Sequence, residues 1–140
     1  MTTTNCTRAL RACAHSQTVL VGSFLNLKAT AGLLEKQPPS HLLIICSGTF
    51  EEAAFEDVLA AGALCYCLFR DSRLDYSDSV SMAMNLFLEV RDLNLAMSQS
   101  RNGRRLMSRP DLKDDVAYCA QQNLFDLVAS MGKDGWVRKL

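Results

Sequence analysis

LLIICSGTFEEAAFEDVLAAG, residues 42–62, decides the fold class. Its opening residues, with His41 before them, form an apolar run without polar alternation. That pattern predicts a strand over residues 41–46 covered on both faces, as in a parallel sheet flanked by helices. Ser47, Gly48 and Thr49 end the run with turn residues. From Phe55 the spacing turns helical, and Glu56 and Asp57 occupy the first turn, where the helix dipole favours carboxylates with or without a functional purpose. A strand, a tight turn and a helix in succession are the unit of α/β folds, whose ligands lie at the carboxyl ends of strands.

The same alternation precedes this stretch. Residues 18–22, TVLVG, read as a short buried strand. Ser23 is placed to cap a helix over residues 24–36, in which Phe24, Leu27, Ala31 and Leu34 recur at helical spacing before Pro38 and Pro39 end it. Residues 7–14 form a short helix with Leu10, Cys13 and Ala14 on one face. Residues 2–8 read as the end of a strand entering that helix; the strand itself would lie before Met1, so the sequence is expected to begin within a domain.

Beyond the central stretch, residues 55–69 predict a long, deeply buried helix and residues 71–78 a polar turn. One helix is expected over residues 79–97, with Val80, Ala83, Met84, Phe87, Leu88, Arg91 and Leu95 on its stripe. Ser98 or Ser100 is placed to cap a short helix that stops before Pro110. Residues 112–122 are helical in pattern, with Val116, Cys119 and Ala120 inward. A strand over residues 125–131 and a turn at residues 132–135 predict a closing β-hairpin.

At 140 residues the chain fits a single domain. Hydrophobic residues at 49% and charged residues at 21% exclude a disordered or fibrous chain. Fifteen basic residues balance fifteen acidic ones, so no global charge draws the protein to nucleic acid or an anionic membrane. Six cysteines without a CxxC pair read as reduced thiols in a cytoplasmic protein, and His15 and His41 do not complete zinc-ligand spacing with them. The first residues lack a signal-peptide pattern, and no apolar run approaches the roughly 18 residues of a membrane span.

Thr3, Thr4, Asn5, Thr7 and Arg8 supply hydroxyls, an amide and a guanidinium at a helix start, which suits a phosphate or sulfonate and equally suits a run of capping residues. Cys6 is not favoured as a nucleophile, because no Cys-x5-Arg loop follows it. Ser47, Gly48 and Thr49 are either a ligand-binding turn or an ordinary tight turn, and Glu56 and Asp57 either a magnesium site or dipole-favoured surface acids. Glu51 and Glu52 are expected to face solvent. Asp114 and Asp115 are adjacent and point in different directions on a helix. Arg101, Arg104, Arg105 and Arg109 form the basic cluster, read first as a solvated helix face, next as a small-anion site, and last as an RNA surface, since no aromatic platform is interleaved.

TTTNCTRAL, VGSFLN, LIICSGTFEEAAFEDVLAAGAL, SRNGRRL and LKDDVAYCAQQNLFDLV, in this order, resemble the C-terminal half or more of the 2-phosphosulfolactate phosphatase family. The resemblance spans nearly the whole chain. It implies a three-layer α/β/α fold around a mixed sheet, incomplete at the N-terminus. It also implies an Mg2+-dependent phosphohydrolase releasing phosphate from 2-phospho-3-sulfolactate or a similar small phosphate ester, a step associated with coenzyme M biosynthesis. Carried over by position, Glu56 and Asp57 are the implied catalytic pair. Thr4, Asn5, Thr7, Arg8, Ser47, Gly48 and Thr49 are the implied substrate-binding residues, and the metal ligands stay unassigned. Cys6 stands where the family has Gly, and Ala54 and Phe55 where many members have Ser and Leu. Since the family is longer at its N-terminus, the implied partner is a missing N-terminal half or a second copy. The alternative implied role is an inactive anion-binding or subunit module.

Overall fold

The computed structural model describes residues 4–70 and 75–140. In chain order these form α1 (Thr4–Ala12), β1 (Leu20–Val21), a 3-10 turn (Phe24–Asn26), α2 (Leu27–Lys36), α3 (Phe55–Phe69) and α4 (Asp78–Glu89). Then come α5 (Leu93–Gln99), α6 (Arg101–Met107), α7 (Lys113–Cys119), β2 (Ala129–Met131) and β3 (Val137–Lys139). The fold is α/β: helices around a three-stranded antiparallel sheet of order β1-β2-β3. Leu20 pairs with Ser130 and Val21 with Ala129, while Met131 faces Val137 across the closing hairpin. No helix among the described residues is long and apolar enough to cross a membrane.

Asn26 ties the sheet to the helices. It is only 4% exposed, and its side-chain amide donates to the carbonyls of Val21 (3.2 Å) and Leu127 (3.3 Å). Its Oδ1 accepts from the Ser23 N–H at 2.8 Å and the Ser23 hydroxyl at 3.2 Å. One side chain thus holds β1, the entry to α2 and the approach to β2. Apolar packing begins directly beside it: Phe24, Leu27 and Ala31 join Leu59, Ala63 and Leu64 of α3, Met97 of α5 and Val116 of α7 in one buried core. α3 also packs closely on α4, where a Cβ on Gly62 would lie 2.0 Å from the Ala83 carbonyl oxygen. Only glycine permits that approach.

Several expectations are corrected. Residues 41–46 form no ladder with any described residue. Only Ile44 packs against the core, while Leu43 is 80% exposed and Cys46 is exposed too. A strand needs a neighbour for its N–H and C=O groups, and no described segment pairs with this one. The helix expected over residues 79–97 is two helices. Val90 turns extended, and Asp92 caps α5 by accepting from the Leu95 N–H at 3.0 Å. The break lets Leu88 and Leu95, expected in one stripe, become exposed. Cys119, expected inward, is exposed. The last strand starts at Ala129 because the N–H groups of Asn123 and Phe125 bond to the carbonyls of Phe24 and Leu25, docking that segment on the 3-10 turn instead. Residues 2 and 3, and residues 71–74 of the expected polar turn, lie outside the described residues.

Removing the Asn26 side chain takes from the Leu127 carbonyl and the Ser23 N–H the bonds described above, and from the Val21 carbonyl a second donor beside its ladder bond to Ala129. Asn26→Ala is therefore expected to destabilise the fold by about 3–5 kcal/mol in chemical denaturation. At the hairpin, Asp134 accepts from the Arg138 guanidinium (2.7 and 2.9 Å) and the Trp136 N–H. Arg138 first and Trp136 second hold its carboxyl down from 3.8 to about 2. Since the folded-state value is the lower, the contribution to stability is complete above about pH 4 and is lost as pH falls through about 2. NMR titration of the Asp134 carboxyl carbon should give a midpoint well below that of the Arg138→Gln variant.

Candidate functional site

The loop after residues 41–46 is a tight turn of unusual backbone. The Thr49 N–H donates to the Glu52 carbonyl at 2.9 Å and the Glu52 N–H to the Thr49 carbonyl at 3.1 Å. The two residues between them, Phe50 and Glu51, have φ of 51° and 65°. Positive φ at both central positions marks a type I′ hairpin turn, where Asn-Gly is preferred and Phe-Glu costs about 1–2 kcal/mol per residue. Gly48, just before it, has φ of 67°, and a Cβ there would lie 2.7 Å from the Glu52 carbonyl oxygen. Strain of this kind is retained where surrounding contacts impose it.

Those contacts come from three helices. From α3, Asp57 Oδ2 accepts from the Gly48 N–H at 2.7 Å and the Ser47 hydroxyl at 3.1 Å. From α6, the Asn102 amide donates to the Thr49 hydroxyl at 2.8 Å and to the Glu56 carboxylate. Arg101 pairs with Glu52. From α1, Arg8 pairs with Glu51 at 2.8 Å. The α6 face is held by Ser100, whose hydroxyl caps the helix by accepting from the Gly103 N–H at 2.9 Å. A Cβ on Gly103 would meet the Met97 carbonyl oxygen at 1.8 Å, so α6 lies tight on the end of α5.

Glu56, Asp57, Ser47, Gly48, Thr49 and Arg8 are therefore brought together. Asn5 and Thr7 lie half-buried on α1 with no hydrogen bond to the turn among the described residues, and the Thr4 side chain lies outside the described residues. Glu51 and Glu52 are exposed as expected, at 75% and 66% of their side chains, yet each holds an arginine. Of the basic cluster, Arg101 joins the site, Arg104 bonds the Gln99 carbonyl, and Arg109 pairs with Asp111. Asp114 and Asp115 are exposed on α7 and make no hydrogen bond to the turn among the described residues.

Asn102 is the residue that sequence reasoning missed. Its signal was an asparagine inside a helix, where its side chain competes with the backbone and another use is expected. Asp57 occupies the Ser47 hydroxyl and the Gly48 N–H, so those donors act first in shaping the turn. Although Cys46 is exposed, partial desolvation of its thiol and next the Asp57 carboxylate raise its pKa, which makes it a poor nucleophile beside the acids.

Residues 1–134 match the family model described as 2-phosphosulpholactate phosphatase. The chain belongs to the 2-phosphosulfolactate phosphatase family. It is 34% identical over 140 residues to a protein of Caldanaerobacter subterraneus, covering 98% of this chain and 56% of that one. It is 31% identical over 141 residues to one of Pseudothermotoga lettingae, covering 99% and 59%. A Clostridium novyi protein is 30% identical over 129 residues, covering 91% and 54%. All three carry the name "Probable 2-phosphosulfolactate phosphatase". The chain spans little more than half the length of these members of the phosphatase family.

Replacing Phe50→Asn together with Glu51→Gly is expected to relieve the turn and stabilise the protein by about 1–2 kcal/mol in chemical denaturation. Loss of stability in that variant would show that the positive φ values carry no strain.

Proposed function

We propose that this chain supplies one wall of a phosphate-ester hydrolysis site built on the turn at residues 47–52. The reaction is release of phosphate from 2-phospho-3-sulfolactate or a similar small phosphate ester. The convergence of Glu56, Asp57, Asn102, Arg8 and Arg101 on one strained turn carries this reading, and the names of the relatives supply the substrate class. Exposed ion pairs contribute little, roughly 0–1 kcal/mol. Arg8 and Arg101 can therefore exchange Glu51 and Glu52 for the phosphate and sulfonate of an incoming substrate, as charge-assisted donors. Asn5 and Thr7, on the same helix as Arg8, extend the same anion-binding rim.

Hydrolysis forms a bond from water oxygen to phosphorus and breaks the ester P–O bond. One water proton passes to a carboxylate and one proton reaches the departing alkoxide. Glu56, held by Asn102, and Asp57, held by the turn, are the groups placed to orient that water and take its proton. Magnesium suits these donors: each carboxylate engages its neighbours through one oxygen, and a hard cation bound by one or two carboxylates, water and phosphate oxygens would use the second. When bound, Mg2+ neutralises phosphate charge and acidifies water. The remaining contacts belong to polypeptide outside this chain, in a three-layer α/β/α arrangement around a mixed sheet. Six free cysteines support a reducing, cytoplasmic setting.

The test is phosphate release from 2-phosphosulfolactate, with and without Mg2+, by this chain combined with the part of the Clostridium novyi relative that the match leaves uncovered. Glu56→Gln and Asp57→Asn should each lower kcat about 100-fold or more. Arg8→Met should raise KM about tenfold. No release from a broad panel of phosphate esters would overturn the assignment.

A further inference from the structure

Between α1, β1, α2 and residues 41–47 lies an open groove of about 540 Å3. Leu10 of α1 and Cys13 just after it, Leu33 and Leu34 of α2, and Leu42 and Leu43 are among its walls. Among the described residues, His41 and Asp57 are the only ionisable side chains on its lining apart from thiols. No described α1 side chain is buried, although the helix turns an apolar stripe into this groove. Thr30, also on the lining and 2% exposed, keeps a buried hydroxyl that has no hydrogen-bond partner among the described residues.

The surface area shows how much is uncovered. The chain exposes 10056 Å2, whereas a compact monomer of its mass exposes about 7,200 Å2. The excess exceeds the roughly 800 Å2 per partner of a standard interface and is of the order seen when a single core is divided. Pairing of residues 42–46 with the same residues of a second copy would cover that backbone edge and leave the α1 stripe uncovered.

We propose that this groove seats an extended apolar β-strand from the portion of the family polypeptide that lies outside the present chain. The strand pairs its backbone with residues 42–46 and lays its side chains against α1 and α2. Main-chain bonds give such strand addition its affinity, and alternate side-chain pockets its specificity. The relatives have the required material, since the match covers only 54–59% of three of them. The proposal rests on the fold and family membership, and it stands or falls independently of the phosphatase activity.

The probe is the uncovered portion of the Clostridium novyi relative, produced as a separate polypeptide and added to this chain. Amide hydrogen exchange at residues 42–46 should slow about 100-fold or more on its addition. Leu43→Pro, which removes one ladder donor at an 80% exposed position, should weaken binding about tenfold or more. Leu43→Asp, which places a charge in the groove, should do the same, while Trp136→Ala, outside the groove, should bind as the parent does. A matching thermal melt of each variant alone establishes that it is folded. Unchanged exchange at residues 42–46, or binding by both Leu43 variants as tight as the parent's, would sink the proposal. So would concentration-dependent protection of these amides in a sedimenting dimer without the probe, which would assign the groove to a second copy.

Discussion

Asn26 is the constraint on which the rest of the structure depends. Its amide joins two main-chain segments distant in sequence, and its carbonyl fixes the residue that starts the path into α2. A buried amide with every bond made specifies one arrangement, because any other leaves polar groups stranded in the core. From that fixed point, Phe24, Leu27 and Ala31 present one apolar face to α3. α3 in turn fixes where Glu56 and Asp57 emerge. The acids are thus positioned by packing that begins two helices away.

At the site, a different balance holds. Four helix-borne groups converge on a turn whose backbone two ordinary residues would not choose, and the hydrogen bonds of Asp57 and Asn102 hold it there. The outer pairs with Arg8 and Arg101 are solvent-exposed.

Much of this was legible in sequence. α3 was bounded at Phe55 and Phe69 because apolar spacing and the preceding turn agree there, and Ser100 announced α6 by its capping chemistry. The break before α5 was hidden, since the apolar period runs through it and only Asp92 marks it. That residues 41–46 have no ladder among the described residues was illegible for a different reason: an apolar run states that it wants covering, not by what. In the site, the place of the acids in the first turn of α3 followed from spacing, whereas the tight turn was expected at Ser47–Thr49 and centres on Phe50 and Glu51. Asn102 was not evident, because contacts of residues about fifty positions apart leave no local pattern.

The sheet itself carries a consequence for synthesis. β1 lies near the start of the chain and pairs with β2 near its end, Leu20 with Ser130 and Val21 with Ala129. Loop closure over such a span is paid before any of its contacts reward it, which makes this pairing a late event in folding. On the ribosome the helices of the middle can form as they emerge, whereas the sheet must wait until β2 and β3 have left the exit tunnel. Until then Asn26 has no Leu127 to bind, and the growing chain passes through translation with its central tie half made.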